Sequence, residues 1–131
     1  MPLKLTLKPE EKVIIGGAVI RNNKTSIEFT VENQVPILRE KDILTDSEAD
    51  TICKKIYLLI QLMYIDGENI ARYQNSYLDL IKFLVREAPK TLLLIEQINE
   101  LILSNRYYHA LKKAKKLIKY EEEVLKNNVK D

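Results

Sequence analysis

The stretch VPILREKDILTDSEADTICKKIYLLIQLMYI, residues 35–65, decides the fold, because the spacing of its apolar residues changes partway along. Up to Ile43 the chain reads as short strands. From Ile52 onward apolar residues return every three or four positions, the helical period. The expected class is therefore α+β: a small β module of about five short strands in residues 1–44, followed by a four-helix bundle in residues 45–131.

Towards the N-terminus, Leu3, Leu5 and Leu7 alternate with Lys4, Thr6 and Lys8, the period of two that sends one set of side chains inward. Pro9, which cannot donate to a ladder, ends this strand. Glu10-Glu11-Lys12 turns the chain into Val13–Ile15, and Gly16-Gly17 is a hairpin turn that lets Ala18–Ile20 pair back. Arg21-Asn22-Asn23-Lys24 is a second turn, with asparagine placed to take a left-handed conformation. Ile27, Phe29 and Val31 are expected to face in and Ser26, Glu28 and Thr30 out, before a last strand at Val35–Leu38. Five such strands suit a curled sheet or small barrel. A module this small needs the helices or a second copy of itself to bury its apolar face.

Towards the C-terminus, Thr45-Asp46-Ser47-Glu48 has the spacing of a capping box, which opens a first helix running to about Ile65. Asp66-Gly67 breaks it, and a second helix spans about Glu68–Glu87. Pro89 suits the first turn of a third helix ending near Leu103, and Ser104 or Asn105 caps a fourth over about Arg106–Lys126. The first helix is apolar on nearly all sides, which places it at the centre of a bundle or an oligomer, and a homodimer is the expected assembly.

Charge is local. Residues 1–44 carry seven bases and six acids, residues 45–104 six and nine, and residues 105–131 eight and four. In the last segment Arg106, Lys112, Lys113, Lys115, Lys116 and Lys119 follow one another without an intervening acid, a second basic surface. In the β module, Lys4, Thr6 and Lys8 share the outer face of the first strand, and Arg39 and Lys41 leave the last. If the terminal strands are neighbours, these five form a compact patch that can hold phosphate and read unpaired bases. The alternative is that the charges only keep a sheet edge from pairing with another chain.

Two family resemblances follow. The run Leu5-Thr6, Lys8, Glu11, Ile15-Gly16, with Ile37-Leu38-Arg39-Glu40, resembles the carbon storage regulator family of small dimeric β proteins that bind messenger RNA leaders, although Leu7 and Leu38 depart from its pattern. That resemblance implies an RNA surface at Thr6, Lys8 and Arg39. An end-to-end resemblance is to the FlbT family of flagellar regulators. It is carried by Met1-Pro2-Leu3-Lys4-Leu5, by Leu38-Arg39-Glu40-Lys41-Asp42-Ile43, by Lys55-Ile56-Tyr57 with Met63-Tyr64, and by the run from Asn105 through Leu111 to Glu121. It implies post-transcriptional control of flagellin: action on the flagellin mRNA leader that alters its translation or decay, beside a small helical partner, FlaF.

Other chemistry is sparse. His109 is the single histidine and Cys53 the single cysteine, too few for a metal site or a disulfide framework. His109 reads as a solvated side chain and Cys53 as a small packed residue. Glu121-Glu122-Glu123 can pair with Lys119 and Lys126 at helical spacing as a solvated face. Gly16, Gly17 and Gly67 build no phosphate loop. Neither an enzyme nor a cofactor is expected, and the absence of an apolar N-terminal run or a membrane-length stretch points to a cytoplasmic protein without a membrane partner. Two functions remain open: an RNA-binding regulator working through the β module, or an adaptor or chaperone-like factor in flagellar assembly that holds FlaF or flagellin through the helices. A weaker third is a structural module whose lysine stripe is merely solvated.

Overall fold

The computed structural model describes residues 2–130, with side chains as far as residue 124. The chain divides between Ile43 and Leu44 into two compact units.

The first unit holds five strands: β1 (Leu3–Leu7), β2 (Lys12–Ile15), β3 (Ala18–Arg21), β4 (Ile27–Val31) and β5 (Ile37–Arg39). They form no single curled sheet or barrel. β1 pairs with β4, and β2 pairs with β3 on one side and β5 on the other, all antiparallel. Gly16 (φ 57°) and Gly17 (φ 90°) supply the two left-handed residues of a tight hairpin joining Ile15 to Ala18. Leu5 and Leu7 are buried with Val13, Ile14 and Leu38. Each such burial contributes about 1.5–3 kcal/mol. The register sets Leu3, Leu5 and Leu7 opposite Val31, Phe29 and Ile27. Contrary to expectation, that strand is not turned fully inward: Phe29 and Val31 are only half-buried and Ile27 is exposed.

The turn after β3 also works differently from its composition. The left-handed backbone falls at Glu10 (φ 66°), not at an asparagine of this turn. Asn22 acts through its side chain. Its buried amide donates to the carbonyls of Leu7 (3.1 Å), Lys8 (3.1 Å) and Thr25 (3.0 Å), and its Oδ1 accepts from the Lys24 N–H at 3.2 Å. One asparagine thus ties the end of β1 to the loop before β4.

The second unit has four helices: α1 (Ile52–Ile65), α2 (Ile70–Glu87), α3 (Leu92–Leu103) and α4 (Tyr107–Lys130). α1 packs on both α2 and α4, and α3 packs on α4. Its apolar surround is thereby explained: Ile56, Tyr57, Ile60 and Met63 are buried among two neighbours. Ile98, Leu111 and Leu117 fill the rest of the core. Gln61 is buried yet satisfied, its amide exchanging bonds with the Leu44 backbone, from Leu44 N–H at 2.8 Å and to Leu44 C=O at 2.9 Å.

All four helix starts differ from the sequence reading; at α3, Pro89–Thr91 form a 3-10 turn and the α-helix begins at Leu92. Glu48 does take the Thr45 N–H (2.9 Å) and hydroxyl (2.7 Å), but this closes a single 3-10 turn, Asp46–Glu48, and Ala49 leaves the helical region at ψ 69°. α1 begins instead after Thr51, whose hydroxyl accepts from the Lys54 N–H and donates to Glu121 at 2.5 Å. Glu121 also accepts from the Cys53 N–H at 3.2 Å, so a carboxylate from α4 caps α1 across the bundle. A negative group belongs at that end of the helix dipole. The solvated role expected for Glu121 is therefore wrong, and the expected pairing with Lys126 lies outside the described side chains. α2 starts later than expected because Asp66 draws in the Asn69 amide (3.0 Å) and the Tyr73 hydroxyl (2.5 Å), folding Gly67–Asn69 into a 3-10 turn. At the α3–α4 joint, Asn105 (φ 60°) closes α3 and does not cap α4. The N–H groups of Asn105 and Arg106 reach back to the carbonyls of Ile102 (3.0 Å) and Leu101 (2.8 Å), satisfying orphan carbonyls in a Schellman closure. Ser104 spends its hydroxyl on the carbonyls of Glu100 and Leu101, and Arg106 provides the first helical carbonyl of α4, accepting from Ala110 N–H.

Candidate functional site

Alternation along β1 leaves Lys4, Thr6 and Lys8 exposed while Leu5 and Leu7 point into the core. No ladder joins β1 to β5, since β1 pairs with β4 and β5 with β2. The terminal strands nevertheless meet through a side chain. Arg39, the last residue of β5, donates from Nη2 to the Thr6 carbonyl at 2.7 Å and to Glu11 Oε2 at 3.4 Å. Its side chain retains 37% exposure, so the guanidinium is anchored along one edge and open to solvent along the rest.

Glu11 is the hub of this edge. Its Oε1 accepts from the Lys8 N–H at 2.9 Å while Oε2 faces Arg39. The Lys8 backbone N–H holds its carboxyl below the ordinary value of 4.5; desolvation opposes this, and the Arg39 guanidinium adds to the lowering. Glu40 accepts from the Lys12 N–H at 3.0 Å, which fixes the turn carrying Lys41. Lys8, Pro9, Glu10, Glu11, Glu40 and Lys41 then line one shallow groove.

Thr6, Lys8, Arg39 and Lys41 are therefore brought together, and Lys4 continues the same face of β1. What the sequence reading missed is the acids among them. Glu10, Glu11 and Glu40 sit between the bases, so this surface alternates in sign. The signal was present in Lys8-Pro9-Glu10-Glu11 and Arg39-Glu40-Lys41, where each base has an acid within three positions.

The second basic surface has a different character. Arg106, Lys112, Lys115, Lys116 and Lys119 are exposed on or beside α4 and Lys113 is half-buried. Lys112 Nζ lies 5.1 Å from the centroid of the Tyr108 ring, a cation–π distance, and His109 meets the same ring edge-on at 6.0 Å. On the α3 side, Arg106 and Lys113 share a groove with Glu100.

Among the described residues, no group of three or more histidine, cysteine, aspartate or glutamate side chains is placed to hold a metal ion. Cys53 is buried, and desolvation, with the Glu121 charge beside it, pushes its thiol up to about 12, the opposite of an activated nucleophile. No helix among the described residues is long and apolar enough to cross a membrane.

Comparison with known proteins agrees over nearly the whole chain. The family model for the flagellar protein FlbT matches residues 3–125. A probable flagellum biosynthesis repressor protein FlbT of Rhodopseudomonas palustris strain TIE-1 is 46% identical over 125 residues, covering 95% of this chain and 98% of the relative. A probable repressor of the same name, FlbT 1, from Bradyrhizobium diazoefficiens is 42% identical, covering 95% of this chain and 85% of its own. The flagellum biosynthesis repressor protein FlbT of Caulobacter vibrioides is 35% identical over 127 residues, covering 95% and 90%. No solved structure matches significantly. With a family model spanning both the β module and the helical unit, and full-length relatives at this identity, the chain belongs to the FlbT family of flagellar proteins.

Proposed function

We propose that this protein represses flagellum biosynthesis by binding the leader of flagellin messenger RNA and altering its translation or stability. The relatives' names supply the regulatory role. The observation that supports the RNA surface is the Arg39–Thr6 bond, which gathers Thr6, Lys8, Arg39 and Lys41 beside Lys4 from opposite ends of the β module. Alternating charge, exposed hydroxyl and guanidinium donors suit recognition of unpaired bases better than bulk attraction of a polyanion. The test is a titration of a flagellin leader transcript against the parent and the Lys4→Gln, Lys8→Gln, Lys41→Gln triple variant, whose three side chains form no hydrogen bond or ion pair among the described residues. Affinity for the leader should fall at least tenfold. Unchanged affinity would remove the β1 face from the RNA surface.

A second reading has its own support in the helical unit. Leu78 on α2 and Leu103 on α3 are 46% and 85% exposed and border one apolar groove with Tyr77 and Ile102. Such a surface suits an adaptor that holds a FlaF-type helical partner or flagellin. Leu78→Glu with Leu103→Glu should then abolish capture of that partner while leaving RNA affinity intact. A homodimer, proposed for the isolated chain, is checked by sedimentation equilibrium at micromolar concentration.

A further inference from the structure

The geometry points to the outer face of α4, centred on Lys112, Lys116 and Lys119, as a track for the phosphate backbone of single-stranded RNA, separate from the β module. The inference rests on the reading that RNA is the ligand, and assigns the sequence-independent part of binding to this helix.

Three observations carry it. First, the face is unbalanced. Lys112–Lys116 and Lys115–Lys119 are four apart and Lys112–Lys115, Lys113–Lys116 and Lys116–Lys119 three apart, so from Lys112 to Lys119 the charged neighbours along the helix surface are of like sign, and the first acids at that spacing are Glu122 and Glu123 beyond Lys119. Among the described residues none of Lys112, Lys116 and Lys119 forms an ion pair with a carboxylate. Arg39–Glu11 and Lys54–Asp50, by contrast, are bases held by a carboxylate. A helix face that repels itself is relieved by a polyanion. The β patch, with Glu10, Glu11 and Glu40 among its bases, needs no such relief.

Second, the face is presented. Ala110, Leu111, Ala114 and Leu117 are buried on the opposite side of α4, so packing fixes the rotation that turns the lysines out. At about 1.5 Å rise per residue, Lys112 and Lys119 stand about 10 Å apart along the axis, a span of several phosphates. Third, aromatic groups begin the stripe. The Tyr108 ring holds the Lys112 ammonium in place, and ring and imidazole together offer stacking surface to an unpaired base. Glu122 and Glu123 end the stripe one turn beyond Lys119.

The experiment is fluorescence anisotropy of a labelled oligouridylate and of a flagellin leader between 50 and 200 mM salt, with the full chain. The test variant carries Lys112→Gln, Lys116→Gln and Lys119→Gln. The control carries Lys55→Gln, Lys82→Gln and Lys90→Gln, the same loss of charge on α1, α2 and the turn before α3. Loss of three phosphate contacts on a single strand lowers the slope of log affinity against log salt by about two. Over this fourfold range the parent should then lose about twentyfold more affinity than the test variant, for both RNAs alike, while the control keeps the parent's slope. If parent and test variant share one slope, or the control changes it equally, the α4 track is overturned while RNA binding stands. If the parent binds neither RNA, the RNA reading and the track fall together.

Discussion

Replacing Arg39 with alanine should loosen the β module before it affects anything else, and the size of the loss follows from the geometry. The guanidinium donates a charged hydrogen bond to the Thr6 carbonyl at 2.7 Å, and such bonds contribute about 1.5–3 kcal/mol when screened from water. At 37% exposure the bond contributes the low end of that range or somewhat less, because water replaces the donor once it is gone. The contact with Glu11 at 3.4 Å adds little, since exposed pairs contribute about 0–1 kcal/mol. Arg39→Ala should therefore cost the module about 1–2 kcal/mol. The assay has to see the right unit. All seven tyrosines lie between Tyr57 and Tyr120 and there is no tryptophan, so tyrosine fluorescence reports the helical unit alone, and circular dichroism is dominated by its helices. Native-state amide hydrogen exchange reads β1 and β4 directly. Their amides should exchange about five- to thirtyfold faster in Arg39→Ala, with the α1 amides unchanged. Glu11→Gln, which keeps an acceptor for the Lys8 N–H and leaves the Thr6 bond, should change exchange less than threefold. Parent-like protection of β1 in Arg39→Ala would refute the role of the Thr6 bond in joining the terminal strands.

Glu121→Ala removes the cap that α4 places on α1, orphaning the Cys53 N–H and the Thr51 hydroxyl, and should lower stability of the helical unit by about 1–2 kcal/mol in urea denaturation followed by tyrosine fluorescence. Leu117→Ala opens a cavity at a fully buried site and should cost about 2–5 kcal/mol in the same assay. Glu10→Gly relieves a left-handed residue and should slow exchange of the module's amides, by up to about 1 kcal/mol, whereas Glu10→Ala should not. The folded carboxyls of Glu11, Glu48 and Asp66 all lie below their ordinary values, so the native state binds fewer protons than the unfolded chain in the acid range. Their stabilisation should be intact above the unfolded values of about 4 to 4.5 and fade as pH falls through the lower folded values. Denaturation midpoints between pH 5 and pH 3 check this, with Asp66→Asn flattening the helical unit's profile.

The two periods were fully legible, and so were the elements they dictate. Alternation placed β1 to within one residue, and three-and-four spacing placed α1 through α4 because core-facing positions such as Ile56, Ile60 and Ile98 admit no polar substitute. Boundaries failed where a residue's side chain served a distant partner. Thr45-x-x-Glu48 has the local grammar of a helix start, but the helix begins where Thr51 can reach Glu121, seventy residues away, and no spacing rule contains that pairing. Asn22 and Asn105 show the same ambiguity from the other side. Both are asparagines in turns; one works through its amide, the other through its backbone, and only the surrounding carbonyls decide which.

The candidate site was half legible for a related reason. The exposure of Lys4, Lys8 and Lys41, and the half-exposure of Arg39, follow from alternation along β1 and the exit from β5. The electrostatic meaning of these bases was not legible, because charge was read by sign along the chain and not by neighbourhood in the fold. A turn returns Glu11 beneath Arg39 and sets Glu40 against the Lys12 N–H, so the patch that looked basic is close to balanced. On a helix that confusion is smaller: neighbours in space are three and four apart in sequence, and Lys112, Lys116 and Lys119 form no ion pair among the described residues. On the proposed function, a balanced patch with directional donors and a lysine stripe would do different work on one polymer. Discrimination between bases requires fixed hydrogen-bond geometry, which Arg39 acquires by being tethered to Thr6. Affinity that falls with salt requires uncompensated charge, which α4 supplies. If one RNA spans both, the β module sets which leader is bound and α4 sets how tightly any RNA is held, so their variants should differ in specificity ratio and in salt slope respectively.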